Sequence, residues 1–186
     1  MREVRVFEDA ASLTAAAAEE FANAARRSIT EQGRFAWALS GGSTPRTLYR
    51  RLADDYQTHV DWSRVHFFWG DERHVPPDHA ESNYRMAREA MLDALAPPPG
   101  NVHRIRAEEP DASVAAEIYE AELRSFFALS PGEWPRFDQV LLGLGKDGHT
   151  ASLFPGGEAV RERERLEVAP WVEAQKGFRI TLTPPV

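Results

Sequence analysis

The chain has 186 residues, 22 of them basic and 29 acidic, for a formal net charge of −7. That length suits one domain with its own core, so residues 1–186 are expected to form a single α/β unit. The lack of cysteine excludes disulfides and thiolate chemistry, and the acidic balance without a basic, aromatic-studded stripe argues against nucleic acid as a partner.

In chain order, Val4–Phe7 reads as a first strand. A helix follows, capped by Asp9 or Ser12, with an apolar stripe of Leu13, Ala17, Phe21, Ala24 and Ile29 and an end near Gly33. Phe35–Leu39, FAWAL, suits a buried parallel strand. Thr44 is expected to cap a second helix, with Pro45 at its first position and Leu48 and Leu52 facing inward. Val65–Trp69, VHFFW, is the next strand.

A helix then starts at Ser82 or Asn83 and carries Tyr84, Ala87, Met91 and Leu95. Pro97–Gly100 forms a loop, and Val102–Ile105 a short strand. Ala115, Ile118, Tyr119, Leu123 and Phe126 mark an amphipathic helix. Val140–Leu142 reads as a buried strand and Phe178–Leu182, FRITL, as a last one. The alternation predicts a Rossmann-like three-layer α/β sandwich with a mainly parallel sheet. The N-terminus lacks the apolar core of a signal peptide, and no run is long enough to span a bilayer. A cytoplasmic location without a membrane partner is therefore expected.

In such a sheet, ligands bind beyond the carboxyl ends of the strands. Three glycine-bearing polar segments fall there. Ser40-Gly41-Gly42-Ser43-Thr44-Pro45 joins a strand to a helix start, where free N–H groups and hydroxyls suit an anion such as phosphate. It lacks the Gly-Lys-Ser/Thr ending of a Walker loop, and Pro45 replaces the last glycine of a nucleophile elbow. The competing reading is a plain strand–helix turn. Gly70-Asp71-Glu72-Arg73 follows an aromatic strand. Arg73 offers a planar fork for phosphate or carboxylate, and Asp71 is a candidate acid/base or orienting group. A solvated turn is the alternative.

Gly143–Gly148 matches G-x-G-x-x-G in form. Pro155-Gly156-Gly157 follows too soon for the long helix a dinucleotide fingerprint needs, which argues against nucleotide binding. The segment then presents Asp147 and His149. Histidine as a residue type is largely neutral at cytosolic pH and so serves as a base, and a neighbouring carboxylate can orient its ring. The other histidines show no zinc spacing, so no metal is expected.

With LSGGSTP (39–45), FFWGDERHVPPDHAESNYRMA (67–87), LLGLGKDGHTASLFPG (141–156) and RITLTPP (179–185), the chain resembles the 6-phosphogluconolactonases. These share a superfamily with glucosamine-6-phosphate deaminases. The resemblance implies hydrolysis of 6-phosphoglucono-1,5-lactone in the pentose phosphate pathway, with no cofactor. It implies His149 as the water-activating base, and the Ser40–Thr44 turn with Arg73 as the phosphate site. A basic residue before the RITLT strand also belongs to that site, and both Lys176 and Arg179 qualify. Members of the family continue beyond the position of Val186, so this reading expects a C-terminally truncated domain lacking strand and helix units. A deaminase using Asp71 at C2 and a non-catalytic sugar-phosphate binder are the alternatives. The oligomeric state is left open.

Overall fold

The computed structural model describes residues 3–186. Helix α1 spans Ala10–Gln32 and opens with Asp9, whose carboxylate accepts from the Ser12 N–H at 2.7 Å while the Ser12 side chain bonds back to the Asp9 N–H. This reciprocal pair satisfies two of the orphan donors at a helix start. Strand β1 is Phe35–Leu39, buried at every position, and α2 is Ser43–Asp55. Strand β2 is Val65–Trp69, and β3, Asp71–Arg73, leaves it after a single residue.

Helix α3, Asn83–Ala87, passes through a π-helical turn at Arg88–Leu92 into α4, Asp93–Leu95. Helix α5 is Ala112–Phe126 and β4 is Gln139–Val140. The short strands β5, Glu167–Val168, and β6, Trp171–Val172, precede β7, Gly177–Leu182.

Strands β2, β1 and β4 form a parallel sheet in that order, with Phe35 facing Val65 and Leu39 facing Trp69. Strands β3, β7 and β5 form a second, antiparallel sheet, to which β6 adds through β7. The α/β class is as expected. The last strand, however, runs antiparallel beside β3, because β3 turns out of the first sheet immediately after Gly70.

Aromatic packing explains why β1 is central. Phe21 from α1 lies 5.4 Å from Phe35 and 4.2 Å from Trp37, and Trp37 meets Tyr49 of α2 edge-on at 5.6 Å. Each such side chain, fully buried, contributes roughly 1.5–3 kcal/mol through apolar area removed from water. Two buried tyrosines brace the strand ends. The Tyr49 hydroxyl accepts from the Ser40 N–H at 3.0 Å and donates to the Ser40 carbonyl at 2.8 Å. The Tyr119 hydroxyl does the same for Trp69, at 2.8 and 3.1 Å. Backbone groups that leave a ladder need partners once buried, and these hydroxyls supply them at the two places where loops enter the site.

Several expectations are corrected. Residues 3–7 form no strand, and Val4 and Val6 are 86% and 90% exposed. Strand pairing stabilises a segment only where it finds a ladder and a buried face, and this one has neither. The buried face of α1 is Thr14, Ala18, Phe21, Ala22, Ala25 and Ser28, rotated by about one residue from the expected stripe. Alanine-rich helix surface carries little periodic signal, and Leu13 lies outward. Helix α2 starts at Ser43 with Gly42 as its cap, so Thr44 and Pro45 sit inside the first turn. Val102 makes a lone parallel bridge to Phe67 rather than a strand. Val140–Leu142 is no buried strand, since β4 ends at Val140, on the sheet edge, and Leu142 is 60% exposed.

Candidate active site

The carboxyl ends of β1 and β2, the start of α2, strand β3, the loop after β4 and the beginning of β7 enclose a cavity of about 460 Å³. Ser40, Gly41, Gly42, Ser43 and Thr44 line one wall. Asp71, Arg73, Arg179, His149 and Ser152 line the rest. The three segments singled out in the sequence therefore converge.

Lys176 and Arg179 part company here. Lys176 occupies a left-handed turn at φ 47°, is exposed, and is absent from the cavity wall. Arg179 lies within β7 directly opposite Arg73 of β3, and both line the cavity. Residues two apart on a strand share a face, so Asp71, Arg73, Arg179 and Thr181 stand together on one side of this antiparallel pair. The Arg73 guanidinium donates to the Glu81 carbonyl at 2.5 Å, and that of Arg179 to the Gln175 side chain at 3.1 Å. Burial, with Arg73 opposite it, holds Arg179 below the ordinary arginine range.

Asp71 is buried. Its carboxylate accepts from the Ser152 hydroxyl at 2.8 Å and from the Asn83 amide at 3.4 Å. Burial pushes its proton affinity up, while Ser152, Arg73, Arg179 and His149 favour the charged form. Glu72, its neighbour, points to the other side and is fully bonded. It accepts from the N–H groups of Arg73, Asn83 and Tyr84 and from the Ser82 hydroxyl, at 2.7–3.0 Å. Glu72 thereby pins the start of α3 to β3 and places Asn83 against Gly41. A Cβ at Gly41 would overlap the Asn83 amide, so only glycine fits.

The loop after β4 delivers His149. The Gly145 N–H donates to the His149 carbonyl at 2.8 Å, and the Gly148 N–H to the Gly145 carbonyl at 2.9 Å. His149 Nδ1 bonds Asp147 Oδ1 at 2.5 Å, and its ring stacks on Phe154 with centroids 4.4 Å apart. The bond to His149 holds the Asp147 carboxyl below the usual carboxylate range. An ionised partner at Nδ1 fixes the proton there and leaves Nε2 with a free lone pair. At Gly145, any side-chain carbon would run into the His149 ring and the Asp147 carboxylate.

Residues 8–186 match the family model described as glucosamine-6-phosphate isomerases/6-phosphogluconolactonase. The chain belongs to this family. Among its relatives is the 6-phosphogluconolactonase of Nostoc sp., 45% identical over 163 residues that make up 88% of this chain and 67% of that one. The 6-phosphogluconolactonase of Synechocystis sp. is 44% identical over 86% of this chain and 65% of its own. The chain thus spans about two thirds of the length of these relatives. Two solved structures titled 6-phosphogluconolactonase, from Trypanosoma cruzi and Trypanosoma brucei, superpose with TM-scores of 0.88 at 34% identity. They cover 99% of this chain and 75% and 77% of their own.

Within this family member, sequence reasoning overlooked Asn83, Ser152, Phe154 and Gln175, all on the cavity wall. Asn83 and Ser152 lay inside the quoted matching stretches, but small polar residues carry no chemical signature until their partners are known. Among the described residues, no group of three or more His, Asp or Glu side chains is arranged to hold a metal ion, and no helix is long and apolar enough to cross a membrane.

Proposed function

We propose that this chain hydrolyses 6-phosphoglucono-1,5-lactone to 6-phosphogluconate. The observation that carries the reading is one cavity holding two features, the Arg73–Arg179 pair and the carboxylate-oriented imidazole of His149. Two arginines facing each other match a dianionic phosphate, each guanidinium offering a fork of donors. The N–H groups and hydroxyls of Ser43 and Thr44 at the start of α2 add donors for the same anion. Lys176 stays outside this site.

With its phosphate held there, the substrate presents the lactone carbonyl to His149. The Nε2 lone pair takes a proton from water as the water oxygen adds to C1. The tetrahedral intermediate then expels the ring oxygen, which takes that proton back from the imidazolium and becomes the hydroxyl of the open acid. Asp147 keeps the ring oriented and stabilises its transient charge. General-base help of this kind supplies roughly 10²–10⁴-fold. A lactone, being a reactive ester, needs neither a covalent nucleophile nor a cofactor in this scheme.

The test is a lactone-hydrolysis assay corrected for spontaneous ring opening, run beside a deamination assay with glucosamine 6-phosphate. Accelerated lactone opening that disappears in His149→Ala supports the reading. Deamination without lactone opening would replace it with the isomerase chemistry of the same family.

A further inference from the structure

Ser152 has no part in the chemistry above, yet it makes two buried bonds that join the His149 loop to the strands carrying the arginines. Its hydroxyl donates to Asp71 of β3 at 2.8 Å, and its N–H donates to the Thr181 hydroxyl of β7 at 3.2 Å. Asp71 and Thr181 are register partners, two residues from Arg73 and Arg179 on their respective strands. Ser152 belongs to a tight turn closed by the Leu153 N–H on the Thr150 carbonyl at 2.8 Å. At its neighbour Ala151 the backbone is left-handed, φ 48°. For an L-residue that conformation is strained, so it persists only where surrounding contacts enforce it.

We infer that Ser152 is a positioning residue that couples occupancy of the arginine pair to the ordering of the His149 loop. The argument rests on the phosphate reading of Arg73 and Arg179 and is independent of turnover. Burial disfavours charge on Asp71, and without phosphate the two arginines and the Ser152 hydroxyl jointly offset that cost. A phosphate on the arginines takes over much of their charge and repels Asp71. The carboxylate then depends more heavily on Ser152, and that bond strengthens because its acceptor is charged and buried. The strengthened bond holds the strained turn three residues from His149 in place. By linkage, an ordered loop must in return favour phosphate.

The experiment measures hydrogen exchange at the Gly145 and Gly148 amides, with and without saturating inorganic phosphate, in the wild-type chain and in Ser152→Ala. In wild type, phosphate is expected to slow exchange at both amides by about tenfold. In Ser152→Ala, phosphate should still bind, with its dissociation constant raised about five- to tenfold as the lost coupling requires, and exchange should slow by less than about twofold. A serine that only props up the fold would speed exchange equally with and without phosphate and leave the ratio untouched, and that result overturns the inference.

Complete loss of phosphate binding in Ser152→Ala would also overturn it, by making Ser152 part of the anion site. Failure of the wild-type chain to bind phosphate would overturn the phosphate reading together with the inference. Phosphate binding with coupled exchange but no lactone opening would leave the coupling standing and remove the lactonase reading alone. If Ser152→Ala does not fold, Thr181→Val removes the other bond of the same clamp. It should reduce the phosphate-dependent slowing, whereas a wild-type ratio there would count against the inference.

Discussion

Arg73 and Arg179 face each other directly across the antiparallel pair of β3 and β7, with Asp71 two residues along the same face. Like charges in directly opposed positions destabilise a sheet by roughly 0.2–1 kcal/mol, so such a pair implies an anion that justifies it. Asp71 supplies part of that charge from inside the fold. Under the proposed function, the substrate phosphate supplies the remainder.

Replacing Arg179 with methionine keeps much of the stem and removes the charge. The variant should show KM for the phosphorylated lactone raised about 10–100-fold, the loss expected for hydrogen bonds to a charged group. Its kcat should change little, because the phosphate is a remote handle. Thermal melts should show the free variant at least as stable as wild type, with most of the stabilisation by 6-phosphogluconate gone. A larger fall in kcat than rise in KM would place Arg179 at the reacting carbon instead.

His149→Ala should lower kcat by roughly 10²–10⁴-fold while product binding stays within a few-fold. Asp147→Asn should lie between this variant and wild type. It removes the charge that orients the ring and stabilises its protonated form, but leaves the imidazole present. Steady-state kinetics beside calorimetric titration with 6-phosphogluconate separates the two effects.

Much of this candidate site is legible in the sequence, and the reason is chemical. Gly143–His149 contains few residue types with an alternative use, and the buried FAWAL and VHFFW strands dictate where loops must emerge. The choice between Lys176 and Arg179 was not legible, because it depends on a left-handed turn at position 176 and on the antiparallel register of β7. The outward edge of β4 was equally hidden. Val140–Leu142 has the composition of a core strand, and local composition says nothing about which strand lies at an edge. The antiparallel second sheet escaped for a similar reason, since β3 is too short and too charged to read as a strand.

Gly145→Ala tests whether the loop's glycines serve close packing. The added Cβ would meet both the His149 ring and the Asp147 carboxylate, so both must move. The expected result is a kcat loss approaching that of His149→Ala with KM nearly unchanged. Substitution at the exposed Gly100, which has open space around it and no left-handed backbone, is the control for general loop damage.

Two titratable groups outside the cavity wall should give pH dependences of opposite sign. Glu167 is fully buried, and among the described residues neither carboxylate oxygen has a protein partner. Burial, with Asp71 and Glu120 adding to it, pushes its proton affinity well above the ordinary glutamate value of 4.5. Its contribution to stability is therefore present below pH 4.5 and is lost as pH rises through the shifted value, with a limiting slope of about 1.4 kcal/mol per pH unit. His66 behaves the other way. Burial, with His103 and Arg34 beside it, lowers its pKa from 6.5 to about 4, so its contribution is present above 6.5 and is lost as pH falls toward 4. His66 is only half buried, and solvent screening makes its slope the shallower of the two.

Between pH 4.5 and 6.5 the two contributions oppose each other. Urea unfolding across that window should show stability rising more steeply with pH in Glu167→Gln than in wild type. In His66→Phe, which keeps the ring contact with Phe126, it should rise less steeply or fall. Asp71 and Glu72, both raised by burial, act with the same sign as Glu167, so the comparison is each variant's slope minus that of wild type. Identical slopes in wild type and Glu167→Gln would mean that Glu167 titrates alike in the folded and unfolded chain.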